Sequence, residues 1–300
     1  MDYLKLYADF LKKSLEPRKP VKIVMDASNG ATGMVLKKVF SKNKSVSPFY
    51  LNAKPDGNFP GHGPNPMILG ATNQLQTEVK KQKADFGFIF DADGDRVFFT
   101  DNKGRMVNPD SIARLLVSYL KPVKIVINEP TGLLVRNIPK EMPGKKIIES
   151  RVGHYFMMKT MKETDSDFGA EHSAHYYFKK FFYRDAGILA AINVINAVSE
   201  LPYPLSQFVD FLPVFYHIPE TNFRVKNSEK LMKEIKKSYS SKALKTSNLD
   251  GLTFRFKNYW FNVRASNTEP LIRLNLETLS GKLLEEKTKE LSDFISRPRL

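Results

Sequence analysis

No cysteine occurs among the 300 residues, so no disulfide, thiol nucleophile or cysteine-ligated metal is available. The absence fits a reducing compartment, and the cytoplasm is the expected location. Nor is there a run of the ~18 apolar residues that a membrane-spanning helix needs. The N-terminus lacks the continuous apolar centre of a signal peptide. Tyr3, Leu4, Tyr7 and Leu11 recur at helical spacing and are broken by Asp2, Lys5 and Asp9, the pattern of an amphipathic helix. Negative charge is scarce: 32 acidic residues face 47 basic ones, a formal net charge of +15. Such an excess attracts nucleic acid, anionic lipid or phosphorylated metabolites. The lysines are scattered through segments such as "KKVFSKNKS" and "EKLMKEIKKSYSSK", which read as solvated helix faces and loops. With no zinc-finger spacing, no aromatic RNA-binding signature and no sustained basic helix, nucleic acid is not the expected partner. Internal repeats and low-complexity segments are also missing.

What is present is an alternation of strand-like and helix-like segments. "VKIVM" (21–25) is followed by the turn-rich "DASNGATG" and the helical "MVLKKVF". "DFGFIF" and "RVFFT" flank an acidic loop, and "DNKG" marks a turn. "NPDSIARLLVSYL" reads as a helix capped by Asn108 or Asp110 with Pro109 in its first turn. "VKIVIN" and "KKIIES" are further strands. The prolines of "SELPYPLSQFVDFLPVF" mark a change near 200–215, beyond which runs of strands and two helices (228–238 and 282–295) suggest a small α+β domain. The expected fold is α/β: two domains with mixed sheets, 1–105 and 106–212, then the α+β domain, 213–300.

The acidic loop "FDADGDRVFF" (90–99) places Asp91, Asp93 and Asp95 within five positions between apolar strands. Burying uncompensated like charges is costly. A divalent cation offsets that repulsion, and three hard oxygen ligands without His or Cys suit Mg²⁺. Alternate positions of an extended segment point the same way, so the three carboxylates are expected to converge, with Gly94 allowing a tight backbone. Arg96 adds a charge able to fork onto a phosphate. An EF-hand is excluded because no glutamate stands at the twelfth loop position.

Two more loops suit a phosphorylated sugar. In "GAEHSAHYYF" (169–178), Glu171 can accept from two neighbouring hydroxyls, with Ser173 and His175 beside it. In "NVRASNTEPLIRL" (262–274), Arg264 can grip a phosphate. Ser266, Asn267 and Thr268 offer hydroxyls, an amide and backbone N–H groups in a turn.

Taken in order, these loops resemble one family, the α-D-phosphohexomutases of the phosphomannomutase/phosphoglucomutase type. Asp91–Arg96 matches the family's D-[GA]-D-G-D-R metal loop, and 170–175 its G-E-x-S-G-H sugar loop imperfectly. Residues 264–270 match its R-x-S-N/G-T-E-P phosphate loop. "PDGNFPGHGPNP" (55–66), "SRVGH" (150–154) and "RDAGILAA" (184–191) are supporting matches.

The resemblance implies phosphoryl transfer between the 1- and 6-positions of a hexose phosphate. Asp91, Asp93 and Asp95 would hold Mg²⁺, and Arg96 would contact the reacting phosphate. Glu171 and Ser173 would read sugar hydroxyls, and Arg264, Ser266, Asn267 and Thr268 would hold the other phosphate. His154 and His175 would line the site, His154 as a proton shuttle. The family's T-x-S-x-x-H-N-P-type serine loop has no match, so these residues resemble domains two to four. A serine-bearing domain on another chain is the partner implied, and turnover by this chain alone is not expected. A phosphosugar-binding protein without catalysis and a nucleic-acid-binding derivative are the alternatives. Three departures stand out: Ala174 and Ala170 occupy glycine positions of the sugar loop, and Glu129 stands where a basic residue is expected, which would weaken phosphate binding in the second domain.

Overall fold

In the computed structural model, residues 1–41, 43–266 and 269–297 are described. The chain opens with α1 (Tyr3–Lys12), β1 (Val21–Asp26), α2 (Thr32–Phe40), β2 (Val46–Leu51), α3 (Asn73–Gln82), β3 (Phe86–Phe90), β4 (Val97–Asp101) and β5 (Met106–Val107). These strands form a mixed sheet in the order β2-β1-β3-β4-β5, parallel across the first three and antiparallel beyond. The alternation of side chains along β1 explains its layering. Ile23 and Met25 enter the main core, whereas Val24 packs with Leu75 and Val79 of α3 on the other face.

The second unit comprises α4 (Pro109–Leu120), β6 (Lys124–Asn128), α5 (Leu133–Arg136), α6 (Ile138–Glu141), β7 (Lys146–Ser150), α7 (His154–Thr164), β8 (Phe168–Ala170), β9 (Tyr176–Phe178), β10 (Arg184–Asp185), α8 (Gly187–Glu200) and α9 (Leu205–Phe211). The cap of α4 is Asn108, whose side chain accepts from the Asp110 N–H, with Pro109 leading the helix. The sheet order is β10-β9-β8-β6-β7. Counted from each unit's own first strand, both sheets run 2-1-3-4-5, with parallel and antiparallel pairings in the same places. The two units therefore repeat one topology, although their sequences show no repeat. Strand order is set by long-range pairing, which leaves no periodic trace in composition. One continuous core joins both units, running from Phe86, Phe88 and Phe99 through α4 and α8 to Ile127 and Phe168.

The third unit contains β11 (Tyr216–His217), β12 (Thr221–Arg224), α10 (Ser228–Tyr239), β13 (Lys245–Ser247), β14 (Leu252–Arg255), β15 (Tyr259–Ala265), β16 (Leu271–Thr278) and α11 (Gly281–Ser296). Its sheet is antiparallel, and Phe254, Phe261 and Leu274 pack with Leu231 and Ile235 of α10 and Leu291 of α11. The observed architecture is thus α/β with two mixed sheets and a C-terminal antiparallel sheet covered by helices. No single helix among the described residues is long and apolar enough to cross a membrane; α8 and α9 pass such a test only together, across an 87° bend.

Candidate active site

The metal loop follows β3, whose five residues are all buried. It is a turn rather than the extended segment expected from alternation. Gly94 adopts φ +79°, a left-handed conformation that glycine enters without steric cost. That turn lets the carboxylates of Asp91, Asp93 and Asp95 approach with ligand oxygens within 4.8 Å of one another. Asp91 is buried and Asp93 exposed. Asp91 Oδ1 accepts from the Gly94 and Arg96 N–H groups at 3.1 and 3.3 Å, and Oδ2 accepts from Arg96 Nε at 2.6 Å. Burial pushes the Asp91 carboxyl up despite Arg96. Asp95 Oδ1 is buried with no hydrogen-bond partner among the described residues, its ion-pair contact being Arg96 Nε at 3.9 Å, and a buried carboxylate oxygen without a hydrogen bond is an expensive feature. An all-oxygen, acid-rich set with one oxygen lacking a hydrogen bond fits a hard divalent cation.

The sugar loop occupies the equivalent place in the second sheet, between its third and fourth strands. The two loops are joined directly. Arg96 and His175 form an antiparallel bridge, and the Val97 N–H donates to the Ala174 carbonyl at 3.2 Å. His175 Nε2 stands 3.4 Å from Asp95 Oδ2. The His175 contact pulls Asp95 down to about 2. Burial pushes His175 down, but Asp95 and Glu171 outweigh it and the net shift is upward. Ser173 Oγ lies 2.9 Å from His175 Nδ1.

Glu171 is almost fully buried and held from several sides. Its Oε1 accepts from Asn128 Nδ2 at 2.9 Å and the Gly153 N–H at 3.3 Å, and its Oε2 accepts from the Tyr177 hydroxyl at 2.7 Å. Burial and Glu171 push the Tyr177 hydroxyl upward, which keeps it a donor. Asn128 escaped the sequence reading because it sits in a run that reads as plain strand, and Tyr177 because nothing in "GAEHSAHYYF" distinguishes it from Tyr176.

Of the two departures in the sugar loop, Ala170 is ordinary strand, whereas Ala174 carries φ +69° in a fully buried position. Left-handed backbone costs a side-chain-bearing residue about 1–2 kcal/mol. Ala174→Gly is therefore expected to raise stability by about 1 kcal/mol, after the entropy penalty of glycine. A rise in the thermal midpoint would show it, and a fall would contradict the strain.

The phosphate loop lies in the third unit. Arg264 on β15 lines a cavity of about 460 Å³ together with Ser266, Arg151, Arg273, Asp250 and Phe156. Arg264 is paired with Asp250 at 3.2 Å and with Glu220 at 3.7 Å. Asp250 also accepts from the Val152 N–H at 3.1 Å, tying this cavity to the "SRVGH" segment. Arg151 and Arg273 raise the cavity to three arginines and were missed as site residues. The signal for Arg273 was its place in "LIRL", alternating with core residues along β16. Asn267 and Thr268 lie outside the described residues. His154 opens α7 in an exposed position.

Glu129, which stands where a basic residue is expected, does not line the Arg264 cavity. It is wholly buried between the second and third units. Its carboxylate accepts from Ser247 Oγ at 2.6 Å and Thr253 Oγ1 at 3.0 Å and faces Arg136 and Arg255.

Comparison with known proteins matches the same three units. The family model "Phosphoglucomutase/phosphomannomutase, alpha/beta/alpha domain II" matches residues 2–104, "domain III" of the same series 108–215, and its "C-terminal domain" 220–293. A phosphomannomutase of Methanocaldococcus jannaschii is 37% identical over 292 residues, covering 96% of this chain and 64% of that protein. A phosphomannomutase of Vibrio cholerae serotype O1 is 31% identical over 304 residues, covering 97% and 65%. The chain thus spans a little under two thirds of the length of these relatives. A crystal structure of a phosphoglucomutase/phosphomannomutase family protein from Burkholderia thailandensis superposes with a TM-score of 0.86 at 23% identity, covering 98% of this chain and 64% of that one, which shows a shared fold. With all three models matched in order along nearly the whole sequence, the chain belongs to the α-D-phosphohexomutases, the phosphoglucomutase/phosphomannomutase family.

Proposed function

We propose that these residues form the metal-, sugar- and phosphate-binding part of a phosphohexomutase acting on a hexose 1- or 6-phosphate. The phosphoryl donor is a serine-bearing domain outside these residues. The observation that carries the reading is the continuous line of polar contacts across all three units. It runs from Asp95 to His175 and Glu171, through Gly153 and Val152 to Asp250, and ends on Arg264. A sugar phosphate bound along that line meets an acidic metal loop at one end and three arginines at the other, with hydroxyl-reading groups between.

Asp91, Asp93 and Asp95 would hold Mg²⁺, and the charge neutralisation it would supply suits a transferring phosphoryl group. Arg96, oriented by Asp91, adds a fixed positive charge at the same end. Glu171, Ser173 and His175 read the sugar hydroxyls. Arg264, Arg151, Arg273 and Ser266, with Asn267 and Thr268, hold the phosphate that does not react. His154, at the exposed start of α7, carries the proton of the accepting hydroxyl.

The test is an assay of glucose 1-phosphate and mannose 1-phosphate with Mg²⁺ and the 1,6-bisphosphate, alone and with a separately expressed serine domain. Turnover only after the domain is added is expected. Turnover by the chain alone would place the donor within it. Sugar-phosphate binding with no turnover in either case would leave a binding protein, and no binding at all would remove the reading.

A further inference from the structure

We propose a second divalent-cation site, for a Zn²⁺-class ion, at Asp95, His175 and Asp185. It lies beside the hard-metal loop and shares Asp95 with it. One ligand atom from each residue lies within 4.8 Å of the others. The set contains an imidazole, and imidazole with carboxylate favours Zn²⁺, Co²⁺ or Ni²⁺ over Mg²⁺.

Three features of the surroundings point to a ligand. The first is the ring of His175. Its Nδ1 faces Ser173 Oγ at 2.9 Å and the buried Glu171 Oε2 at 3.5 Å, while its Nε2 faces Asp95. A carboxylate on one ring nitrogen sets the tautomer that presents the other as a lone pair, the arrangement that metal-ligating histidines use. Glu171 is itself fixed by Asn128 and Tyr177, so the ring is held in that orientation. The second is Asp95, whose two oxygens have different surroundings. Oδ2 faces His175, and Oδ1 is buried without a hydrogen-bond partner among the described residues, with Arg96 Nε 3.9 Å away.

The third is the packing that delivers Asp185. Gly187 opens α8 directly against the metal loop, where a Cβ would meet the Gly94 carbonyl oxygen at 2.5 Å. Only a residue without a side chain permits that approach. It brings β10, two residues earlier, to the acidic loop. An ion here would join the first unit, through Asp95, to the second, through His175 and Asp185. It would clasp the metal loop onto the sugar loop.

The site deepens the reading above, because it uses one ligand of the hard-metal loop. The experiment separates the two. Zn²⁺ and Mg²⁺ are titrated calorimetrically into the full chain and its variants. Co²⁺ absorption in the visible reports nitrogen ligation. His175→Gln and Asp185→Asn are each expected to weaken Zn²⁺ binding roughly tenfold or more and to reduce the Co²⁺ band, with a smaller loss of Mg²⁺ affinity than of Zn²⁺ affinity. Asp93→Asn is expected to do the reverse. Zn²⁺ binding that ignores both His175→Gln and Asp185→Asn would overturn the second site. Mg²⁺ binding that ignores Asp93→Asn would instead remove the hard-metal assignment and leave the second site standing. Melting curves in the absence of metal identify any variant that fails to fold, and the other variant of the pair then decides.

Discussion

Glu129→Ala is expected to lower the unfolding free energy by about 3–5 kcal/mol, the usual cost of removing one partner from a buried ion pair. The carboxylate is fully shielded from water and has four partners. Ser247 and Thr253 donate hydroxyls from the third unit. Arg136 at 3.7 Å and Arg255 at 3.6 Å supply charge from the second and third. Both guanidiniums also contact Glu149, at 3.0 and 2.8 Å. Without Glu129, two arginines would share one carboxylate inside the interface, and two hydroxyls would lose their acceptor. Each term has the same sign. The loss falls on contacts between units, so the third unit should detach before the shared core of the first two melts. Urea denaturation should show the transition moving to lower concentration, and limited proteolysis should cut first between α9 and β12. Glu129→Gln retains acceptor geometry for one hydroxyl and should cost less. An unchanged urea midpoint for the alanine variant would show that the interface does not depend on this residue.

Arg264→Ala is expected to cost about 1.5–3 kcal/mol of hexose-phosphate affinity, as for a lost hydrogen bond to a charged group, roughly 10–150-fold in Kd. The arginine is already held in the cavity by Asp250 and Glu220. Its removal takes away a phosphate donor and also leaves the Asp250 carboxylate facing the incoming anion. The effect should therefore lie toward the upper end of that range. Arg264→Lys keeps the charge but not the planar fork, and should recover part of the affinity. Calorimetric titration with glucose 6-phosphate and with glucose separates the phosphate contribution from the sugar contribution. If the alanine variant loses equal affinity for both, Arg264 does not read the phosphate.

The elements that the sequence revealed are those whose signal is local. β1, β3, β4, β6 and β7 are short apolar runs between turn residues, and α4 carries its own cap and proline. β2 was passed over because Pro48 interrupts it. The structure places β2 at the edge of its sheet, where a missing N–H need not break a ladder. β8 has three residues, too few for any pattern to emerge.

The three loops were legible for a related reason. Each packs its residues into a contiguous stretch, so the sequence alone carried the α/β frame, the acidic loop, the Glu171 loop, the Arg264 loop and the family resemblance they support. Only the tertiary structure decided how they meet. Glu129 and Ser247 are 118 positions apart, Val152 and Asp250 are 98 apart, and the bridge between Arg96 and His175 joins two different sheets. Nothing local marks Glu129 as an interface anchor, because a buried carboxylate takes its role from whichever donors the folded chain brings to it. The repeated strand order, and the placement of Asp185 beside Asp95, have the same origin: pairing and packing between distant segments, whose energies depend on distances that the linear chain does not contain.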